Sequence, residues 1–343
     1  PIKAGERMNS QGSRRMKELL MENDLDGMVE LGKQQQGSGA DILDLCAVLT
    51  ERDTEKRDAV VISKRLAESV SIPVMIDSTD VDTIEASLEC FPGTPFINSI
   101  NLEDGGKKAR SVLNLAKEHA GFVVCLAIDE KGMARTLERK LAVAERIYGM
   151  AVGEYGIEPH RLLFDMLTFT LGTGEKEYRD AARVTCEAIR GIKKKYPGVL
   201  TALGVSNISF GLTRPARRAL NMVFLHHAVK AGLDVAIVNP SEYADITEIP
   251  PEERKLAEAL VLNRAPDALE ELVAHFEAKG PEKNARPRKQ EKDLPVERRI
   301  KECVISRDKA GIIPLVEEAL SEYTAEDIVN VILMDAMKDV GDR

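Results

Sequence analysis

The sequence predicts an α/β fold, a TIM (β/α)8 barrel followed by a short all-helical segment. Three observations carry this. About eight short apolar runs recur along the first 240 residues, longer amphipathic stretches separate them, and the order breaks after the eighth run. Strands separated throughout by helices make a parallel sheet. Eight such units close into a barrel. A doubly wound open sheet is the alternative fold, but it does not usually need so many units.

The predicted strands are Ile2–Glu6, Asp41–Cys46, Ile72–Asp77, Pro95–Ser99, Phe122–Ile128, Leu162–Leu167, Leu200–Ser206 and Val235–Asn239. Each is short and lacks polar alternation, as expected of strands buried on both faces. Arg14–Glu22 places Met16, Leu19 and Leu20 on one helical face. Arg135–Tyr155, Tyr178–Lys195 and Pro215–Ala231 repeat apolar residues at helical spacing, and Pro251–Asn263 and Ala268–Ala278 close the domain. The expected organisation is a barrel over 1–278, a linker over 279–293 and a helical segment over 294–343. Lys279–Asp293, KGPEKNARPRKQEKD, is rich in charge and proline and has no periodicity, so it reads as a solvated tether. Helical patterns resume over Leu294–Ser306, Gly311–Tyr323 and Thr324–Val340, with Thr324 and Asp327 spaced as a helix cap. About 50 residues of helix make too small a core to stand alone. This segment is expected to pack on a partner or belong to a larger bundle.

Composition removes several function classes. The chain has 343 residues, 43% hydrophobic, and a net charge of −9. An acidic protein does not attract a nucleic-acid backbone non-specifically, so no nucleic-acid partner is expected. No apolar run approaches the roughly 20 residues of a membrane span, so no membrane role is expected. The opening PIKAGERMNS does not begin with Met and has no apolar signal-peptide core. The five cysteines are dispersed, without a CxxC pair, and read as free thiols in a reducing cytoplasm. No metal site is expected.

In a barrel of this type chemistry sits at the C-terminal strand ends. Here each ends in a polar group: Glu6 with Arg7 and Asn9, Asp44, Asp77 with Ser78, Asn98 with Ser99, Asp129, Asp165, Ser206 with Asn207, and Asn239. Singly, Asp, Asn and Ser are common where a strand turns into a helix cap. Together they form a ring of carboxylates and amides. No nucleophile stands beside a base, and no lysine occupies a Schiff-base position. Carboxylates and amides also suit Mg²⁺ or Ca²⁺, but no loop of the DxDxDG type supports that. The ring suits a neutral heterocycle, because a carboxylate accepts two parallel N–H bonds and an Asn amide both donates and accepts. A pterin has such an edge.

Six motifs then resemble one family in order along the chain: GERMNSQGSR (Gly5–Arg14), PVMIDST (Pro73–Thr79), FINSIN (Phe96–Asn101), LAIDEKGMA (Leu126–Ala134), FDMLTF (Phe164–Phe169) and GVSNISFGL (Gly204–Leu212). They resemble the pterin-binding barrel of cobalamin-dependent methionine synthases and, more distantly, methyltetrahydrofolate:corrinoid iron–sulfur protein methyltransferases. MDAMKDVGD (Met334–Asp342) resembles the start of the cobalamin cap domain of the same synthases. The resemblance implies a methyltransferase module that binds 5-methyltetrahydrofolate and passes its N5 methyl to cob(I)alamin. The cobalamin would be supplied by another domain or chain. It implies that Glu6, Asn9, Asp77, Asn98, Asp165, Asn207 and Arg214 contact the folate, with Asn207 beside N5 as the catalytic residue. One departure stands out: where the synthases often have Asp-Pro-Asn, this chain has Asp165-Met166-Leu167. The zinc site for homocysteine and the cobalt-ligating histidine motif are also missing, so the chain corresponds to a fragment or separate module. A dihydropteroate synthase is the other pterin barrel; it expects a Ser-Arg pair where Ser206-Asn207 stands. A folate-binding module without catalysis is the third reading.

Overall fold

The computed structural model describes residues 1–243, 245–279, 295–306, 309–321 and 323–336. The chain divides into two units, Pro1–Ala278 and Lys279–Arg343. Most of the expected linker, the expected helix end 337–340 and most of MDAMKDVGD lie outside the described residues.

The first unit is the predicted barrel. Its strands are β1 Ile2–Gly5, β2 Ile42–Leu45, β3 Val74–Asp77, β4 Phe96–Ile100, β5 Phe122–Leu126, β6 Leu162–Asp165, β7 Leu200–Gly204 and β8 Val235–Val238. They close in the order β1-β8-β7-β6-β5-β4-β3-β2, and every neighbouring pair is parallel. Helices the sequence reading did not single out fill the remaining crossovers: Leu25–Gly37, Glu55–Ser69, Val81–Leu88 and Lys107–Glu118.

The inward face explains the architecture. Ala4, Ile42, Met75, Phe96, Val124, Leu163, Ala202 and Val235, one residue from each strand, form a single apolar cluster. Phe96 stacks on Phe122 at 4.7 Å within this plug. Side chains of a strand repeat their facing every second residue. Two residues further along the same face come Glu6, Asp44, Asp77, Asn98, Leu126, Asp165, Gly204 and Ile237. The interior therefore alternates after all, from an apolar layer to a largely polar one at the C-terminal mouth. The outward residues, such as Leu43, Ile76, Ile97 and Phe164, pack against the helices in a separate and larger core.

β5 departs from expectation. It ends at Leu126, and Ile128–Asp129 pairs antiparallel with Gly132–Met133 instead. Gly132 makes the reversal in the left-handed region, with φ of 82°.

At the opposite end of the barrel, Asp234 gathers three donors: Lys193 Nζ at 2.8 Å, the Thr201 N–H at 2.8 Å and Thr201 Oγ1 at 3.1 Å. It ties β7 to the residue that enters β8, and Thr201 is fully buried.

The second unit has its own small core of Val296, Ile300, Ala319, Ile328 and Ile332. The cap read from the sequence is a reciprocal pair: Thr324 Oγ1 accepts from the Asp327 N–H, and Asp327 accepts from the Thr324 N–H.

Asp234→Ala strands the buried Thr201 N–H and should cost about 1–3 kcal/mol. Urea denaturation of the chain would show a lower midpoint at an unchanged slope; an unmoved midpoint would refute the role given to Asp234.

Candidate functional site

The polar layer at the mouth is organised as three hydrogen-bonded groups. In the first, the Asn9 amide donates to Asp44 at 2.9 Å and to Asp77 at 2.6 Å, and the Asn98 amide donates to Asp44 at 3.4 Å. Asn9 reaches this position because the turn Glu6–Met8 follows β1 directly, and Asn9 then bridges to Cys46 just past β2. In the second, Ser206 Oγ donates to Glu6 at 3.1 Å, joining the ends of β1 and β7. In the third, Asp165 accepts from the Leu167 N–H at 2.6 Å.

Burial dominates the electrostatics of all three. It raises the carboxyls of both Asp44 and Asp77, and Asp77 is raised further by the charges of Asp44 and Glu55. Burial pushes Glu6 up to about 7; the Ser206 bond and Arg217 work against it, Asp44 and Glu242 with it. Asp165 is pushed up to about 6, again by burial, against the Leu167 N–H and the charge of Lys140. Near neutral pH the mouth thus holds carboxyls poised between acceptor and donor. Such a set can hold an uncharged ligand with several N–H donors and can take up or release a proton.

The other predicted site residues lie at the rim. Asn207 is exposed, and its amide folds back over the end of β7. A Cβ at Gly204 would sit 2.9 Å from Asn207 Nδ2, so a side chain there would displace the Asn207 amide. Arg214 is not drawn into the carboxylate cluster. Its side chain is 79% exposed and pairs with Glu242 at 2.9 Å.

Several members of the ring read from the sequence do local work instead. Asp129 pairs with Arg139, which also holds the hairpin through the carbonyls of Gly132 and Met133. Asn239 accepts from the Ser241 N–H and hydroxyl. Ser78 donates to Glu55.

One residue of the site was missed from the sequence. Lys140 is buried, and its ammonium donates to the carbonyls of Met166 and, at 3.1 Å, Leu167. Thr185 Oγ1 adds a bond to the Leu167 carbonyl at 2.7 Å. Burial pushes Lys140 down to about 8, partly offset by the charge of Asp165. The signal was available: Lys140, Val143, Ala144 and Ile147 share one buried helix face at helical spacing. Among the described residues no group of three or more His, Cys, Asp or Glu could hold a metal ion, and no helix is long and apolar enough to cross a membrane.

The raised Glu6 carboxyl has a stability consequence. Its folded value, about 7, exceeds the 4.5 of the free group, so between these the native state binds more protons than the unfolded one. The stability it contributes is complete below about pH 4.5 and is lost as pH rises through 7. Glu6→Gln, which keeps an acceptor for Ser206, should therefore melt a few degrees above the parent near pH 8.5, at about 2–4 °C per kcal/mol for a domain of this size. The two curves should converge near pH 5. A difference in melting temperature independent of pH would refute the burial argument.

Comparisons place the chain. Residues 5–239 match the family described as pterin binding enzymes, and residues 296–343 match that of the B12 binding domain. Methionine synthases of Mycobacterium tuberculosis and Mycobacterium leprae are each 39% identical over 98% of this chain. The chain spans 29% and 28% of their lengths, under a third. A dihydropteroate synthase from Xanthomonas albilineans, at 17% identity, aligns with a TM-score of 0.50 over 64% of this chain and 83% of its own, a likeness of fold alone. The family match runs from the last residue of β1 to the residue after β8, the stretch that builds the polar mouth, and the chain belongs to the pterin-binding enzyme family.

Proposed function

We propose that the barrel binds 5-methyltetrahydrofolate by its pterin ring and presents the N5 methyl group for transfer to a corrinoid. It would serve as the folate module of a cobalamin-dependent methionine synthase. The observation that carries the reading is the hydrogen-bonded cluster of Asn9, Asp77 and Asn98 around the buried Asp44 at the mouth. It lies in a chain that follows methionine synthases along 98% of its length. The helical segment beginning at Val296 is read as the opening of the corrinoid-binding part, in keeping with its family match. The corrinoid, carried by another domain or chain, would supply the nucleophile. What this chain contributes is on the folate side.

Asp77 and Asp165 are read as the anchors of the pterin, accepting from its ring N–H and amino groups, with Asn98 offering a donor and an acceptor. Glu6 and Asn9 complete the wall on the side of β1. Asn207 is placed beside N5. As the methyl departs, N5 must gain a proton or a strong hydrogen bond, because an amide anion leaves poorly. The Asn207 NH₂ can donate to neutral N5 and its carbonyl can accept from protonated N5. A group that serves both states at the reacting atom acts where the barrier is set. The buried carboxyls favour a cationic N5 and so assist. Arg214, at the rim, meets the part of the folate that leaves the mouth.

Asp77→Ala should weaken binding of methyltetrahydrofolate by roughly 30- to 150-fold, the equivalent of about 2–3 kcal/mol for a charge-assisted contact. Calorimetry reads this directly, and an unchanged dissociation constant would remove Asp77 from the site. Asn207→Ala should instead damage transfer more than binding. With saturating methyltetrahydrofolate and free cob(I)alamin, single-turnover transfer should fall on the order of tenfold or more, with a smaller loss of affinity. A variant that binds poorly yet transfers at the parental rate when saturated would make Asn207 a binding residue only.

A further inference from the structure

Lys140 is 1% exposed, and it shares a buried helix face with Val143, Ala144 and Ile147. Lysine is among the residues least often fully buried. This one also lies in the first turn of the helix Leu137–Tyr148, where the helix dipole opposes a cation. Its ammonium meets carbonyl oxygens, those of Met166 and Leu167, rather than a carboxylate. Stability alone does not call for such a residue, because apolar side chains commonly serve as well as buried charged ones. The turn that Lys140 holds is unfavourable by itself. Leu167 has φ of 54°, and the buried Thr168 hydroxyl has no partner among the described residues. Thr185 Oγ1 is the second clamp, donating to the Leu167 carbonyl at 2.7 Å. The Phe169 ring covers the ammonium at 5.5 Å from its centroid.

One peptide unit connects this clamp to the mouth. In a trans peptide the carbonyl and the N–H point to opposite sides. Lys140 holds the carbonyl of the Met166–Leu167 peptide, and its N–H donates to Asp165 Oδ1 at 2.6 Å. A cation on the carbonyl polarises the unit and strengthens its N–H as a donor. The helical layer thereby reaches the inward carboxyl of β6. We propose that Lys140, seconded by Thr185, is a positioning residue of the mouth, setting through the Met166–Leu167 peptide the orientation in which Asp165 receives the pterin. The charge of Lys140 also favours the ionised Asp165, the form that accepts two parallel N–H bonds. Lys140 acts at one remove, through Asp165. This inference rests on the pterin reading above.

The test is calorimetric titration of the whole chain with methyltetrahydrofolate. Lys140→Met should lower the affinity at neutral pH on the order of tenfold, the scale of one charge-assisted hydrogen bond. In an Asp165→Asn background the same substitution should cost about twofold or less, because residues that act through one another are not additive. General loosening of the barrel would instead cost the same in both backgrounds. The ratio of parental to Lys140→Met affinity should also shrink from about pH 6.5 to about pH 9.5, as the ammonium, pushed down to about 8 by burial, loses its charge. Glu6 and Asp77 titrate in the same range, but in both proteins, so they drop out of the ratio. Thr185→Val removes one bond of the clamp and leaves the ammonium in place. It should cost about threefold in the parent and nothing in Asp165→Asn, and it carries the test if Lys140→Met does not stay folded. Unchanged affinity in the clamp variants, or equal losses with and without the Asp165 carboxyl, overturns the positioning role. A ratio that does not move with pH overturns the part given to the charge. Failure of the parent to bind methyltetrahydrofolate overturns the pterin reading itself, whereas a parent that binds with an unresponsive clamp overturns only this inference.

Discussion

Every feature of the site descends from the two-residue repeat of the strands inside a closed barrel. One face of each strand must both fill the interior and furnish the chemistry. This chain divides the task by depth. A layer with one apolar residue per strand seals the barrel, and the next inward layer carries the carboxyls and amides. The seal beneath removes water from one side of that polar layer, and so the carboxyls of Glu6, Asp44, Asp77 and Asp165 are all raised chiefly by desolvation. Moving any strand by one residue would turn its polar group outward into the helical layer.

Much of this was legible in the sequence. Burial on both faces requires apolar runs, and the eight runs marked the eight strands to within a few residues. The polar residue ending each run marked the mouth. The division of labour among those residues was not legible. Asp44 and Asp129 look alike at a strand end, but Asp44 follows Ile42 on the inward face, while Asp129 lies beyond the true end of β5 and is claimed by Arg139. The difference depends on where Gly132 folds the chain back, a tertiary outcome of a local turn. The helix Leu25–Gly37 went unread because three glutamines in a row interrupt its apolar face.

The end of β6 combines a departure from the family pattern with an unusual support. Leu167 has φ of 54°, in the left-handed region where Asn is tolerated and a branched apolar residue costs roughly 1–2 kcal/mol. Its N–H nevertheless points at Asp165 and its carbonyl at Lys140 and Thr185. A buried ammonium that clamps two successive carbonyls fixes the peptide units on either side of Leu167. The backbone shape that an Asn would adopt easily is here enforced by hydrogen bonds from the helical layer. One oxygen of Asp165 is thereby committed to the backbone, which fixes the direction in which the other can accept.

The hydrogen bonds of the mouth also constrain what can bind. Asn9 donates to both Asp44 and Asp77, and with Asn98 it supplies the side-chain donors that those two carboxyls have. A ligand that engages both oxygens of Asp77 must replace or share the Asn9 bond on Oδ2, and an apolar guest would leave the carboxyl poorly satisfied, at a cost of about 1–3 kcal/mol. A guest with two adjacent N–H donors improves on the single amide. It also favours the ionised form of Asp77, drawing its raised pKa back down. The same burial that raises the carboxyls therefore makes the site selective, because the penalty is relieved only by a ligand whose donors match them.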